Sequence, residues 1–262
     1  MQINKGLLPA IAIIIMLFCS SCSQVSNDTK RIRPGKIDYK KAALLNVEIG
    51  RHYLSTGYIE RAKKKFLHAL ELMPNLAEAH GGMAYFWEVV GEDKEAEKHY
   101  RKSISLGKGA GVFYDQYAIF LCERDRYQDA DKNFNLALRD KLSPKTADIY
   151  KNAGKCAIKN KEQKKAVDYF TKALYHDPRS SQTLMELAKI SLEQNNFFVA
   201  QNHLEEFNKL SAKPTVEYLL LSIKAAKSLG QKDIVASKGL LLKNLYPNSP
   251  ECDLYKQQYE SS

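Results

Sequence analysis

Gly91-Glu92-Asp93-Lys94-Glu95-Ala96-Glu97-Lys98-His99-Tyr100-Arg101-Lys102-Ser103 decides the architecture of this 262-residue chain, because its small and ring-bearing residues recur at a near-fixed distance on either side. Ala96 has counterparts in Ala62, Ala130, Ala166 and Ala200, and only the step from Ala130 to Ala166 departs from a constant interval, by two positions. Four residues after each alanine stands a large side chain, Phe66, Tyr100, Phe134, Phe170 or Leu204, and three further on stand Ala69, Ser103, Ala137, Ala173 and Phe207. Steps of four and three residues share one face of an α-helix, so each period carries a helix with one buried stripe.

Read backwards from the alanines, the register marks a second helix in each period, with Ile49, Gly50 and Tyr53 in the first and Ala153, Gly154 and Ala157 in the fourth. Small residues at these points let two helices of a hairpin approach closely, and the ring after the alanine fills the space behind them. Pro74 and Pro178 hold the last column, and Pro144, Pro214 and Pro247 lie at or within two residues of it. Proline lacks an N–H donor and ends a helix. The pattern resembles the tetratricopeptide repeat, a helix-turn-helix with a period of about 34 residues. That resemblance predicts an all-α fold, a tetratricopeptide solenoid of about six units over 43–247. The sixth unit is degenerate: Gly230 keeps its turn, but Val235 and Gly239 replace the alanine and the ring. An atypical last unit is expected where no neighbour covers the core. Residues 248–262 are expected to be a C-terminal tail.

The N-terminus has a different character. Lys5 precedes an apolar run from Gly6 to Phe18, and Cys19-Ser20-Ser21-Cys22 follows. The run is shorter than the roughly 20 apolar residues that a bilayer-spanning helix needs, so 1–21 reads as a signal peptide. The small residues before Cys22 resemble a bacterial lipobox, in which the thiol is acylated and becomes the mature N-terminus; the alternative is an ordinary secretory cut. Ser23, in place of aspartate, resembles the outer-membrane sorting signal. The expectation is an outer-membrane lipoprotein facing the periplasm, with acylated Cys22 and a flexible tether over 22–42. Removing Lys5 with the signal lowers the net charge by one from +10, and the mature chain stays basic. Lys30, Arg31, Arg33, Lys36, Lys40 and Lys41 cluster near the membrane end, whereas Lys63-Lys64-Lys65 reads as a solvated helix face. An exported chain is a poor match to nucleic acid.

Cys122 is the twelfth residue of the third unit and Cys156 the tenth of the fourth, both on first helices. Neighbouring first helices in a solenoid run parallel, and two residues shift the sulfurs only about 3 Å along the axis. A Cys122–Cys156 disulfide is therefore predicted, with two buried free thiols as the alternative. Cys252 has no evident partner.

The segments Tyr117-Ala118-Ile119-Phe120-Leu121-Cys122 and Tyr150-Lys151-Asn152-Ala153-Gly154-Lys155-Cys156 are similar to the paired cysteine motifs of the PilF/PilW family of type IV pilus biogenesis lipoproteins. The opening stretch and Tyr127-Gln128-Asp129-Ala130 are similar to that family's second and third repeats. Where the family commonly has paired asparagines and then a glycine, this chain has Asp115-Gln116 and Ala118. The resemblance implies a pilotin, a lipoprotein that supports outer-membrane targeting or multimerisation of the secretin through which the pilus exits. The implied partners are the secretin subunit and, through the lipid, the outer membrane. An adaptor lipoprotein for cell-wall hydrolases or outer-membrane assembly factors is the alternative, and an enzyme with an unrecognised site the third reading.

In tetratricopeptide arrays the concave groove is lined by columns two, five, nine, twelve and thirteen of the first helices. The first unit places Leu44, Val47, Arg51, Leu54 and Ser55 there, and the second contributes Tyr85. Leu44, Val47, Arg51, Leu54 and Tyr85 are thus the candidate partner-binding residues, with Leu44, Val47 and Leu54 expected to be exposed unless the tether or an N-terminal helix covers them. No catalytic residue, metal ligand set, cofactor or small-molecule substrate is predicted. His52, His68, His80, His99, His176 and His203 show no ligand spacing. Gly107-Lys108-Gly109-Ala110-Gly111 follows no strand and lacks the Gly-Lys-Ser/Thr of a phosphate loop, which makes it an inter-repeat turn. No Gly-x-Ser-x-Gly elbow occurs.

Overall fold

A computed structural model describes residues 38–141 and 143–259. The expected signal peptide, Cys22 and the tether up to residue 37 lie outside the described residues. Within them the chain forms thirteen α-helices and no strand: α1 (Tyr39–Ser55), α2 (Ile59–Leu72), α3 (Ala77–Val89), α4 (Asp93–Leu106), α5 (Gly111–Glu123), α6 (Tyr127–Ala137), α7 (Thr146–Lys159), α8 (Gln163–His176), α9 (Ser181–Glu193), α10 (Phe197–Leu210), α11 (Val216–Ser228), α12 (Lys232–Leu245) and α13 (Pro250–Gln258). Six hairpins, α1–α2 through α11–α12, are the six tetratricopeptide units, each packed against the next. The first helix starts at Tyr39, so the last four residues assigned to the tether are helical.

Each hairpin turns at the same column. Gly57, Gly91, Asp125, Lys161, Asn195 and Gly230 all have positive φ, between 57° and 84°. The amide that follows each of them donates to the carbonyl five residues back: Tyr58 to Tyr53, Glu92 to Trp87, Arg126 to Leu121, Glu162 to Ala157, Asn196 to Ser191 and Gln231 to Ala226, at 2.8–2.9 Å. This left-handed helix ending satisfies carbonyls that the last turn leaves open. Glycine adopts it without strain, and three units manage with Asp, Lys and Asn.

Behind the turns, the large side chain of the second helix in each of the first five units is buried, and Phe66 fills the gap between the first helices that carry Gly50 and Gly82. A Cβ on Gly50 would come within 2.6 Å of the Phe66 ring, and one on Gly154 within 2.7 Å of Phe170. Phe66, Phe134, Phe170 and Leu204 anchor successive stretches of core. The longer interval between Ala130 and Ala166 is accommodated between Ala137 and Thr146, after a second helix of only 11 residues. In that connection Asp140 accepts a hydrogen bond from the Gly111 amide at 2.9 Å and so caps α5.

Residues after Pro247, expected as a tail, form the helix α13 instead. Ser249 caps it by accepting from the Cys252 amide, and Pro250 sits in its first turn. Tyr255 occupies the place that the sixth unit's missing ring would take; a Cβ on Gly239 would lie 2.0 Å from its Cζ. The degenerate column is filled from outside the repeat, because an open terminal core buries more apolar surface by accepting another helix. Cys252 is a free thiol, fully buried on the inner face of α13. No helix among the described residues is long and apolar enough to cross a membrane.

Candidate functional site: the first-helix face

The first helices of the six units present a continuous face, and its columns divide into two kinds. Column nine places Arg51, Tyr85, Ile119, Lys155, Lys189 and Lys224 at the surface, exposed or half-buried. Columns five and twelve more often enter the seam between adjacent first helices, and they bury Val47, Leu54, Cys122, Met185 and Leu192.

This corrects the expected apolar receptor surface of the first unit. Val47 is 4% and Leu54 7% exposed, both in the core with Phe66, Ala79, Met83 and Phe86, and half-buried Leu44 packs against the same cluster. The physical reason is that α1 is packed by both α2 and α3, so these side chains already have apolar partners. Arg51 and Tyr85 remain accessible, Tyr85 at 43%, beside exposed Val89 and Val90.

The face is clamped between the third and fourth units. Cys122 of α5 and Cys156 of α7 are joined as a disulfide with Cα atoms 5.9 Å apart. One turn and more away, Asn152 of α7 donates to both carboxylate oxygens of Asp115 on α5, at 3.1 and 3.2 Å. At the other end Lys159 pairs with Glu123. Burial pushes the Asp115 carboxyl up to about 6, against the opposing pull of the Asn152 hydrogen bond. The adjacent Gln116 packs over α3, where a Cβ on Gly81 would meet its Oε1 at 2.9 Å. Sequence reading marked the cysteines but not the Asp115–Asn152 contact. Its only signal was a polar pair at columns five and six of consecutive units.

The ring of Tyr117 ties this clamp to the second unit. Its hydroxyl donates to Glu97 at 2.6 Å, and Arg101 and Arg126 each reach the same carboxylate at 2.7 Å. Partial burial would raise the Glu97 carboxyl, but these three donors outweigh it and hold it at about 2. Nearby, Arg124 bridges Glu88 at 3.0 Å and Asp93 at 2.7 Å, while the Tyr100 hydroxyl donates to Glu88 at 2.6 Å. Burial and the Glu88 charge push the Tyr100 hydroxyl up, so it stays a donor. Each of these groups holds another of the protein's own groups. Among the described residues no three His, Cys, Asp or Glu side chains form a cluster able to hold a metal ion.

A stack of helical hairpins with a braced, accessible first-helix face is a tetratricopeptide protein, a class whose working surface is a scaffold for other chains. No family model matches the sequence. The chain is 30% identical over 205 residues to the type IV pilus assembly protein PilF of Pseudomonas aeruginosa, an alignment covering 78% of this chain and 81% of the relative. It belongs to the PilF family of type IV pilus assembly proteins. A solved structure of Pseudomonas aeruginosa PilF superposes with a TM-score of 0.70 at 29% identity, covering 84% of this chain and 99% of that one. The structure of PilW, a type IV pilus biogenesis factor, shares the fold with a TM-score of 0.69 at 21% identity, over 81% of this chain and 97% of its own.

Proposed function

We propose that this chain is a non-enzymatic pilotin: an outer-membrane lipoprotein, acylated at Cys22, that supports localisation or multimerisation of the type IV pilus secretin. Membership of the PilF family is the observation that carries the reading. The first-helix face is the surface offered to the secretin subunit, with Arg51 and Tyr85 at its accessible N-terminal end and the Cys122–Cys156 clamp fixing its middle. A lipid anchor supplies the address, since buried acyl CH2 groups contribute about 0.8 kcal/mol each and several chains hold durably. No bond need be made or broken in this role.

Clean deletion is expected to abolish pili and secretin multimers. Cys22→Ala is expected to release the protein from the outer-membrane fraction. Arg51→Ala with Tyr85→Ala is expected to weaken secretin capture at least tenfold while membrane attachment and helicity are unchanged. Normal multimers and twitching after deletion would instead favour the adaptor role.

A further inference from the structure

We propose that His80 and His99, on the second unit, form a two-imidazole binding site for a borderline transition-metal dication, with Cu(II) favoured. The site lies in the α3–α4 hairpin and is independent of the secretin reading. His80 of α3 and His99 of α4 bring their Nδ1 atoms to 3.1 Å. A metal about 2.05 Å from each nitrogen would see them at an angle of about 98°. That suits two neighbouring corners of a tetragonal Cu(II) site, water completing the rest.

The second ring nitrogen of His80, Nε2, lies 3.1 Å from the Pro74 carbonyl oxygen. A carbonyl can only accept, so Nε2 carries the proton and the His80 Nδ1 lone pair is left free. A backbone carbonyl orienting a ligand imidazole in this way is the usual outer support of a histidine metal site. In the metal-free hairpin the His99 Nδ1–H donates to that lone pair. Metal entry moves the His99 proton to its own Nε2 through solvent, so the neutral pair binds with no net proton release. Burial lowers both imidazoles, His80 against the raising effect of the Pro74 carbonyl and with help from Lys102, His99 with help from the His80 ring and Lys98. A shallow cavity lined by Lys98, Arg101, Lys102 and Ser105 gives access from solvent. Lys98 is paired with Glu95, and Arg101 with Glu97, which tempers the positive rim. Glu95 also acts on His99 in the opposite sense to Lys98.

The test is titration of the chelator-treated, lipid-free mature protein with Cu(II) at pH 7.5, followed by calorimetry and by electron paramagnetic resonance. One saturable Cu(II) per chain with nitrogen hyperfine structure from two imidazoles is expected. His80→Gln and His99→Gln should each weaken it at least tenfold, while His68→Gln, on α2, leaves it unchanged. All variants are checked for native helicity. Binding that persists in the double variant, or no saturable binding below about 100 μM, overturns the proposal. So does saturable inorganic phosphate binding lost in Lys102→Ala without a Cu(II) site, which would make the cavity an anion site.

Discussion

Asp115 shows how one side chain can oppose the fold while serving its geometry. Its carboxyl titrates near 6 in the folded chain against an ordinary 3.8, so the folded state binds more protons between these values and stability falls as pH rises through that window. Asp115→Asn keeps an acceptor for Asn152 and removes the buried charge. It is expected to stabilise the protein by about 2 kcal/mol at pH 7.5 and by almost nothing at pH 3.5, read from urea unfolding at the two values. Glu97 has the opposite sign: held near 2 against 4.5, it stabilises above pH 4.5, and that contribution is lost as pH falls towards 2. At the turns, Lys161 has a φ of 60°, a conformation costing a residue with a Cβ about 1 kcal/mol or more. Lys161→Gly is expected to raise stability by about 0.5–1 kcal/mol, whereas Gly57→Ala lowers it by a similar amount.

At the scale of the helix, the fourth-unit slip and the last hairpin are the two places where regular stacking needs help. The disulfide joins α5 to α7 across a sequence separation of 34. Replacing both cysteines by serine, or reducing the bond, is expected to cost about 3–4 kcal/mol in denaturant unfolding if loop entropy dominates. A loss well under about 1 kcal/mol would mean that the Asp115–Asn152 and Glu123–Lys159 contacts brace the seam unaided. At the C-terminal end, Tyr255 of α13 fills the space over Gly239. Tyr255→Ala is expected to cost about 3–5 kcal/mol and to expose Cys252 to thiol reagents, since that cysteine is on the buried face of the same helix. These elements differ in how far they could be read beforehand. The hairpins follow from a stripe repeated at a near-constant interval, which is a local property of each helix. The capping helix carries no repeat signal, because its job is set by the shape of a core it does not belong to.

For the molecule as a whole, the backbones of α7 and α9 approach each other less closely than those of the other adjacent first helices. Leu187 and Ile190 of α9 join the central core, while Leu184, Met185 and Ala188 join the C-terminal one. Quasi-linear stacks divide where an interface is thin. Amide exchange is therefore expected to be faster in α11–α13 than in the disulfide-braced α5–α8, with the boundary at α9; uniform protection from α3 to α13 would contradict it. The sequence by itself determined the hairpins, their number and the first-helix location of both cysteines. All of these depend on the chemistry of residues a few positions apart and on a repeated interval. Only the tertiary structure decided that Val47 and Leu54 are core rather than receptor, that Tyr255 replaces a missing ring, and that Asp115 meets Asn152 and His80 meets His99. Those outcomes join side chains from different helices, and they depend on how helices are rotated against one another, within one hairpin for His80 and His99 and between hairpins for Asp115 and Asn152, a quantity that no single helix encodes.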